Sequence, residues 1–488
     1  MNTPPTPSAD IAAMFAPETF RELGHKLIDL LADYLAGNLA GQDPVMHWQA
    51  PEKADAEWQM PLPQEPVLDA DGLLARLKND ILPTSLAIHH PHNMGHQVAT
   101  PLPVAALCDL VAALTNQAMA VYETGPSATM LERQVLRWLG ELIGWQDAGG
   151  ILTSGGAQAN LTALLAARQH AADVWKHGVA DVKPLRILVS KHAHYSISRA
   201  AGIMGLGTDA VVSIPTDTEG RMLVNALAVA HAEVLANDTT VMAVVATAGC
   251  TPTGSIDPLL EIGRYCQDHG LWLHVDGAHG ASALLSEQHR PALQGIALAD
   301  SVVWDGHKLL YMPAAVSAVL FRNTASSFEA FSQDASYLFQ GGEHIEEMYN
   351  VSYRTLECTK RMMGLKLWVA FSLYGVRGMA QLLDSTFAKA RLLAQKLDAH
   401  PDFELLMQPQ TNIVCFRHRP TALEGPALDA HQSRLREQLV QSGRFHLTRV
   451  TLEGRVWLRT TLMNPYTQTE DMDELLLALN QLAQQALA

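Results

Sequence analysis

Near the start of the chain, apolar side chains recur every three or four positions. Leu23, Leu27, Leu30, Leu31, Tyr34 and Leu35 mark one stripe of a helix spanning Phe20 to Leu39. Pro44, Pro51, Pro61, Pro63 and Pro66 follow, a density that predicts an ordered linker with neither regular helix nor sheet. From about Leu131 the pattern changes to helical segments alternating with short β-rich runs: RILVS (186–190), AVVSI (210–214), TVMAVVATA (240–248), LWLHVD (271–276), SVVW (301–304) and AVSAVLF (315–321). This alternation predicts an α/β fold with a mostly parallel central sheet and helices on both faces. Beyond Leu356 a long helical stretch runs to about Ala399. The strands NIVCF (412–416) and RVWLRTT (455–461) and a closing helix from Asp471 follow. The expected division is an N-terminal helical and linker segment (1–85), a large domain (86–375) and a small C-terminal α+β domain (376–488).

Composition narrows the class of protein. At 488 residues the chain exceeds what one hydrophobic core organises. Charged residues are 17 % against roughly 25 % in an average domain, while apolar residues reach 48 %, which points to extensive burial, some of it between subunits. A formal net charge of −16 argues against nucleic acid as the main partner, because neutralising phosphates needs a basic surface. The five cysteines lack a C-x-x-C pair, so no disulfide framework or metal site is expected and a reducing cytoplasm fits. Neither an export signal nor a membrane span is apparent.

Gly and small polar residues recur at the strand ends, in TSGGAQAN, ATAGCTPTG and HVDGAHG, and that edge of an open α/β sheet is where ligands bind. The sharpest feature is VVWDGHKLL (302–310), in which an apolar strand runs into Asp305, Gly306, His307 and Lys308. A lysine after a strand is ordinarily a solvated loop residue, and an aspartate ending a strand, as Asp276 does in LWLHVD, is commonly a cap. Gly155, Gly156 and Ala157 form a turn into the helix NLTALLAAR, whose N-terminal N–H groups suit a phosphate. Asn160 stands where a capping residue would.

Taken together these strand ends resemble the fold-type I pyridoxal 5′-phosphate (PLP) enzymes, and more narrowly the group II amino acid decarboxylases. The resemblance extends through FRELGHKLIDLLADYL, YETGPSATMLERQV (122–135), TSGGAQANLTALLAARQ (153–169), KHAHYSISRA (191–200), ASYLFQ (335–340) and LRTTLMNP (458–465). The sequence departs from the family pattern at Gly277, where an alanine is usual, and at Asp305-Gly306, where Asn-Pro is frequent. The resemblance implies that residues 86–375 bind PLP and that Lys308 holds it as a Schiff base. It implies that Asp276 faces the pyridine nitrogen and keeps it protonated, so that the ring accepts the electron pair left when CO2 departs. It implies that His194 stacks on the ring, that Gly155, Gly156, Ala157 and His307 take the phosphate, and that Thr247 lies near the ring substituents. Arg459 is placed at the substrate carboxylate, a fork-to-fork pairing that suits guanidinium. Tyr349, with Tyr353 as the competing assignment, is placed as the loop tyrosine that returns a proton to Cα. A homodimer with its active site at the interface is implied as well.

Substrate choice falls to HPHNMGHQVATPLP (90–103), which by resemblance lines the far end of the pocket and offers His96 and Gln97. These polar groups suit an acidic L-amino acid (glutamate, aspartate or cysteine sulfinate). A diamino acid such as 2,4-diaminobutyrate or lysine, or an aromatic amino acid, is the alternative. Oxidative deamination or transamination on the same scaffold, and a non-catalytic scaffold, are the rival functions. Tyr349 speaks against the first, and the presence of Lys308, Asp276 and His194 against the second.

Overall fold

The computed structural model describes residues 8–331 and 348–487. The motif ASYLFQ (335–340) lies outside them. The chain divides into two compact units, one comprising Met1–Met94, Thr421–Arg449 and Tyr466–Ala488, the other Gly95–Pro420 and Val450–Pro465.

The second unit is built on a seven-stranded sheet: β1 (Gly149–Thr153), β2 (Leu185–Ser190), β3 (Val211–Ile214), β4 (Thr240–Thr247), β5 (Leu273–Asp276), β6 (Ser301–Asp305) and β7 (Ser317–Phe321). Their order is β1-β7-β6-β5-β4-β2-β3, and only β7 runs antiparallel to its neighbours. The strands are apolar because both faces are covered, and alternate residues serve opposite layers. Leu188, Val244, Val275, Val302 and Leu320 pack into one core, and Ile187, Val245, Val303 and Val319 into the other.

Six strands fall within two residues of the expected runs. Strand β1 was not foreseen, because Gly149 and Gly150 remove the side chains that make a strand legible. Their absence is a packing requirement: a Cβ on Gly150 would stand 2.3 Å from the Val319 carbonyl oxygen. The long helical stretch begins at Gly364, ends at Asp398 and breaks at Gly375, whose φ of 63° is left-handed. A second sheet carries β8 (Phe403–Leu405), β9 (Ile413–His418), β10 (Thr448–Leu452) and β11 (Arg455–Thr461) in the order β10-β11-β9-β8.

In the first unit the helix expected from the Leu stripe spans Pro17–Leu39. The proline-rich stretch corrects the expectation of irregular linker, since Pro51–Trp58 is a helix. Pro51 occupies its first turn, where a missing N–H costs nothing and the fixed φ suits the helix. Within the same unit Val45 N–H donates to the Gly443 carbonyl (2.8 Å) and Met94 N–H to that of His446 (2.9 Å), so distant stretches of sequence close one body.

Candidate active site

Strands β4, β5 and β6 are neighbours, and they end on Thr247, Asp276 and Asp305. Their C-terminal edge borders a cavity of about 280 Å³. Of the residues expected to form a site, Gly155, Gly156, Ala157, His194, Thr247, Asp276, His307 and Lys308 all line it. They arrive from five separate stretches of chain because every parallel strand delivers its carboxyl end to the same side.

Asp276 is buried and doubly held. Its Oδ2 accepts from Asn160 Nδ2 at 3.0 Å and its Oδ1 from the Ala278 N–H at 3.2 Å. Asn160 is no mere cap: it is buried, and its Nδ2 also donates to Ser196 Oγ (2.9 Å). With the amide protons used in this way, Asn160 Oδ1 must accept from His274 Nε2 (2.9 Å), leaving His274 Nδ1 to accept from the Ser301 hydroxyl (2.9 Å). Burial pushes His274 down to about 4, so the ring is neutral, as this pattern requires. The same reasoning runs outward. His194 Nδ1 accepts from the Ser196 N–H (3.3 Å), so it also takes the Ser196 hydroxyl proton (2.9 Å), and the His194 proton sits on Nε2. Burial holds the His194 imidazole below its ordinary value, against the pull of Asp276.

At the opposite side Lys308 Nζ lies 3.0 Å from Asp305 Oδ2. His307 Nε2 is 3.6 Å from the same oxygen, and its Nδ1 is 2.8 Å from the Val316 carbonyl. Gly155, at φ 144°, and Gly156 open the 16-residue helix Gly156–Ala171. Gly277 is explained by contact, because a Cβ there would fall 2.9 Å from that of Ala281 and 3.0 Å from the Val303 carbonyl oxygen.

Sequence reasoning missed Asn160 as the hub, along with His274, Ser196, Tyr195, Gly249, Thr251, Ala278, His279 and Asp305, of which all but His274 and Ser196 line the cavity. One signal was available: His274 and Asp276 are two apart in a strand and so share a face. His279 carried no such signal. It is buried, its Nε2 is 2.6 Å from Asn412 Oδ1 on the approach to β9, and burial pushes it down to about 3.

Four expected residues, and Tyr353 as the competing assignment, are not among those lining this cavity. Arg459, on β11, is buried one layer behind the wall, where its Nη1 donates to the carbonyl of the lining residue Thr251 (2.6 Å). His96 is exposed. Gln97 is half-buried, and its Nε2 has no hydrogen-bond partner among the described residues. Tyr349 packs beside Tyr122, with ring centroids 5.8 Å apart, and under the Arg133 guanidinium at 4.5 Å. Tyr353 is half-buried.

The donor set fits a pyridine-aldehyde phosphate. It offers an amine, a buried carboxylate fixed by an amide, an imidazole at the cavity wall, a glycine-opened helix N-terminus, and a buried Thr247 hydroxyl with no partner among the described residues. Fold and site together are those of a PLP-dependent enzyme. The comparisons agree: residues 51–419 match the pyridoxal-dependent decarboxylase conserved domain, and the chain belongs to that family. It is an amino acid decarboxylase that uses PLP.

Mouse (Mus musculus) cysteine sulfinic acid decarboxylase is 32 % identical over 461 residues, which is 91 % of this chain and 92 % of the relative. The acidic amino acid decarboxylase GADL1 of Mus musculus is 29 % identical over 483 residues, 96 % of this chain and 88 % of the relative. The crystal structure of mouse CSAD superposes with a TM-score of 0.88 at 30 % identity, covering 96 % of this chain and 99 % of that one. Among the described residues no helix is long and apolar enough to cross a membrane.

Proposed function

We propose that the chain decarboxylates an acidic L-amino acid, such as glutamate, aspartate or cysteine sulfinate, to its amine and CO2. The observation that carries the reading is the buried Asp276, held by Asn160 across the cavity wall from Lys308. PLP bound there supplies an electron sink for the breaking bond between Cα and the carboxylate. In this reading Lys308 would hold the cofactor through its amine and give up that place to the substrate amine, keeping its own nitrogen. Asp276 keeps a proton on the ring nitrogen, and Asn160 and neutral His274 orient Asp276. His194, at the cavity wall, would face the ring and offer its Nε2 proton to it or to substrate. The N–H groups at Gly155 to Ala157 and His307 take the phosphate, and the Thr247 hydroxyl meets a ring substituent.

Arg459, drawn to the Thr251 carbonyl at the cavity wall, is the proposed partner of a substrate carboxylate. The acidic substrates named for the mouse relatives favour this class over a diamino or an aromatic acid. We assign the far end of the substrate to His96 and Gln97, and proton return at Cα to Tyr349 ahead of Tyr353. None of these lines the cavity within one chain, so the assignment requires a second subunit or a movement of the residues. A homodimer is supported by the helix Pro103–Thr115, which leaves Leu107, Leu110, Val111 and Leu114 exposed. A cytoplasmic location accords with the free cysteines.

The test is CO2 and amine release from glutamate, aspartate, cysteine sulfinate, diaminobutyrate, lysine, tyrosine and DOPA, with Tyr349→Phe run beside the wild type. Turnover confined to aromatic or diamino substrates overturns the acidic reading. Unchanged amine output from Tyr349→Phe removes that residue as the proton donor.

A further inference from the structure

The carboxylate of Asp305 stands where an anion has to be received. It is 2 % exposed, and both of its oxygens lie 2.9 Å from the point where a Cβ on Gly156 would stand, at the first residue of the helix Gly156–Ala171. One oxygen accepts from the Ser317 hydroxyl of β7 at 2.5 Å; the other is 3.0 Å from Lys308 Nζ and 3.6 Å from His307 Nε2. From other elements, His194 and His279 also feel its charge, and both are held below the ordinary imidazole value.

Lys308 is the one full cation in ion-pair reach of Asp305 among the described residues. It is also the residue assigned to the cofactor's aldehyde carbon. When it turns to that carbon, the cradle loses its balancing charge as a phosphate arrives. A phosphate ester is close to a dianion above about pH 6. Like charges held this close favour keeping a proton between them.

We propose that Asp305 makes cofactor binding proton-linked: holding the carboxylate and the phosphate together draws one proton from solvent into the group formed by Asp305, His307 and phosphate, so cofactor retention weakens as pH rises. The inference rests on the assignment of Gly155 to Ala157 to the phosphate. The bound state carries a proton that the separated dianion and carboxylate lack. Binding is therefore tightest near or below the phosphate's own titration and falls by up to about tenfold per pH unit above it.

The test is equilibrium binding of PLP, and of pyridoxal, which lacks the phosphate, to full-length protein stripped of cofactor, read by the absorbance of the lysine adduct. Because both ligands engage Lys308, the ratio of their association constants isolates the phosphate end. In the wild type this ratio should fall from about pH 6.5 to about 8.5. Asp305→Asn should flatten the fall and raise the ratio about tenfold at about pH 8. Ser317→Ala, which removes the hydroxyl that stabilises the ionised carboxylate and so eases its protonation, should raise the ratio at about pH 8, and it serves as the test if Asp305→Asn does not fold. A ratio unchanged or lowered in either variant overturns the inference and leaves the PLP assignment standing. A wild type that binds neither ligand overturns the cofactor site and the inference with it.

Discussion

Two lysines of the same unit lie beside buried carboxylates, and they have opposite fates. Lys360 sits in a closed interior next to β1, its side chain 1 % exposed. Its Nζ reaches both Glu132 oxygens (2.5 and 2.6 Å) and the Leu152 carbonyl (2.6 Å). All three ammonium protons are spent, and the burial that pushes its pKa down is opposed by Glu132. Lys308 is 18 % exposed, has Asp305 as its one carboxylate, and faces an open cavity. Burial alone does not make a lysine reactive. A saturated ammonium in a packed interior is a structural strut, whereas one at a cavity wall can give up a proton, leave its partner and attack a carbonyl as the free amine.

The two lysines should respond to substitution in opposite ways. Lys308→Ala should reduce turnover by about 10⁵-fold, equivalent to about 7 kcal/mol of barrier, while urea unfolding shifts by only about 1 kcal/mol. Borohydride reduction of the wild type should label Lys308 and leave Lys360 untouched; a label on Lys360 would invert the comparison. Asp276→Ala should bind cofactor yet lose about 10³-fold in kcat, about 4 kcal/mol, because an unprotonated pyridine is a weak electron sink. A near-normal kcat would remove that role. Lys360→Met should cost about 3 kcal/mol of stability, since it strands Glu132 as a buried unpaired charge. Whatever fraction folds should keep normal kcat, and a large loss in folded protein would mean that the strut also serves the chemistry.

The smallest effect expected is on pH dependence. His274 is held down to about 4 and His279 to about 3, from an ordinary 6.5, by complete burial. Below 6.5 the unfolded chain takes up protons that the folded chain refuses, so this stability is full above that pH and is lost as acid is added. At about pH 5 each histidine should contribute about 2 kcal/mol of destabilisation. Melting curves of wild type and His279→Gln between about pH 7 and 5 check this, because the variant should lose about 2 kcal/mol less over that range. Parallel curves would show that His279 is not titrating on unfolding.

Lys308, Asp276, Thr247 and His307 were legible because each lies at or just after the end of an apolar run, and the end of a parallel strand is a defined place in this architecture. The glycines at 155 and 156 were legible for a related reason, since a helix N-terminus beside a sheet edge presents unpaired N–H groups that suit an anion. Asn160 was not, because an asparagine in the first turns of a helix has the same local signature whether it caps the helix or reaches across to a neighbouring strand. Its role depends on His274, Asp276 and Ser196, which lie between 36 and 116 residues away.

By itself, then, the sequence determined what local periodicity and chemical type can specify: the alternating elements, the parallel sheet, the edge where a ligand would lie and the residues ending its strands. The tertiary structure alone decided which of those residues share hydrogen bonds, and which of two lysines beside buried carboxylates faces open space. It also decided that His96, Gln97 and Tyr349 stand apart from the cavity of their own chain. Periodicity is a property of neighbours along the chain, whereas the saturation of a donor or the exposure of an amine depends on groups brought together only when distant segments pack.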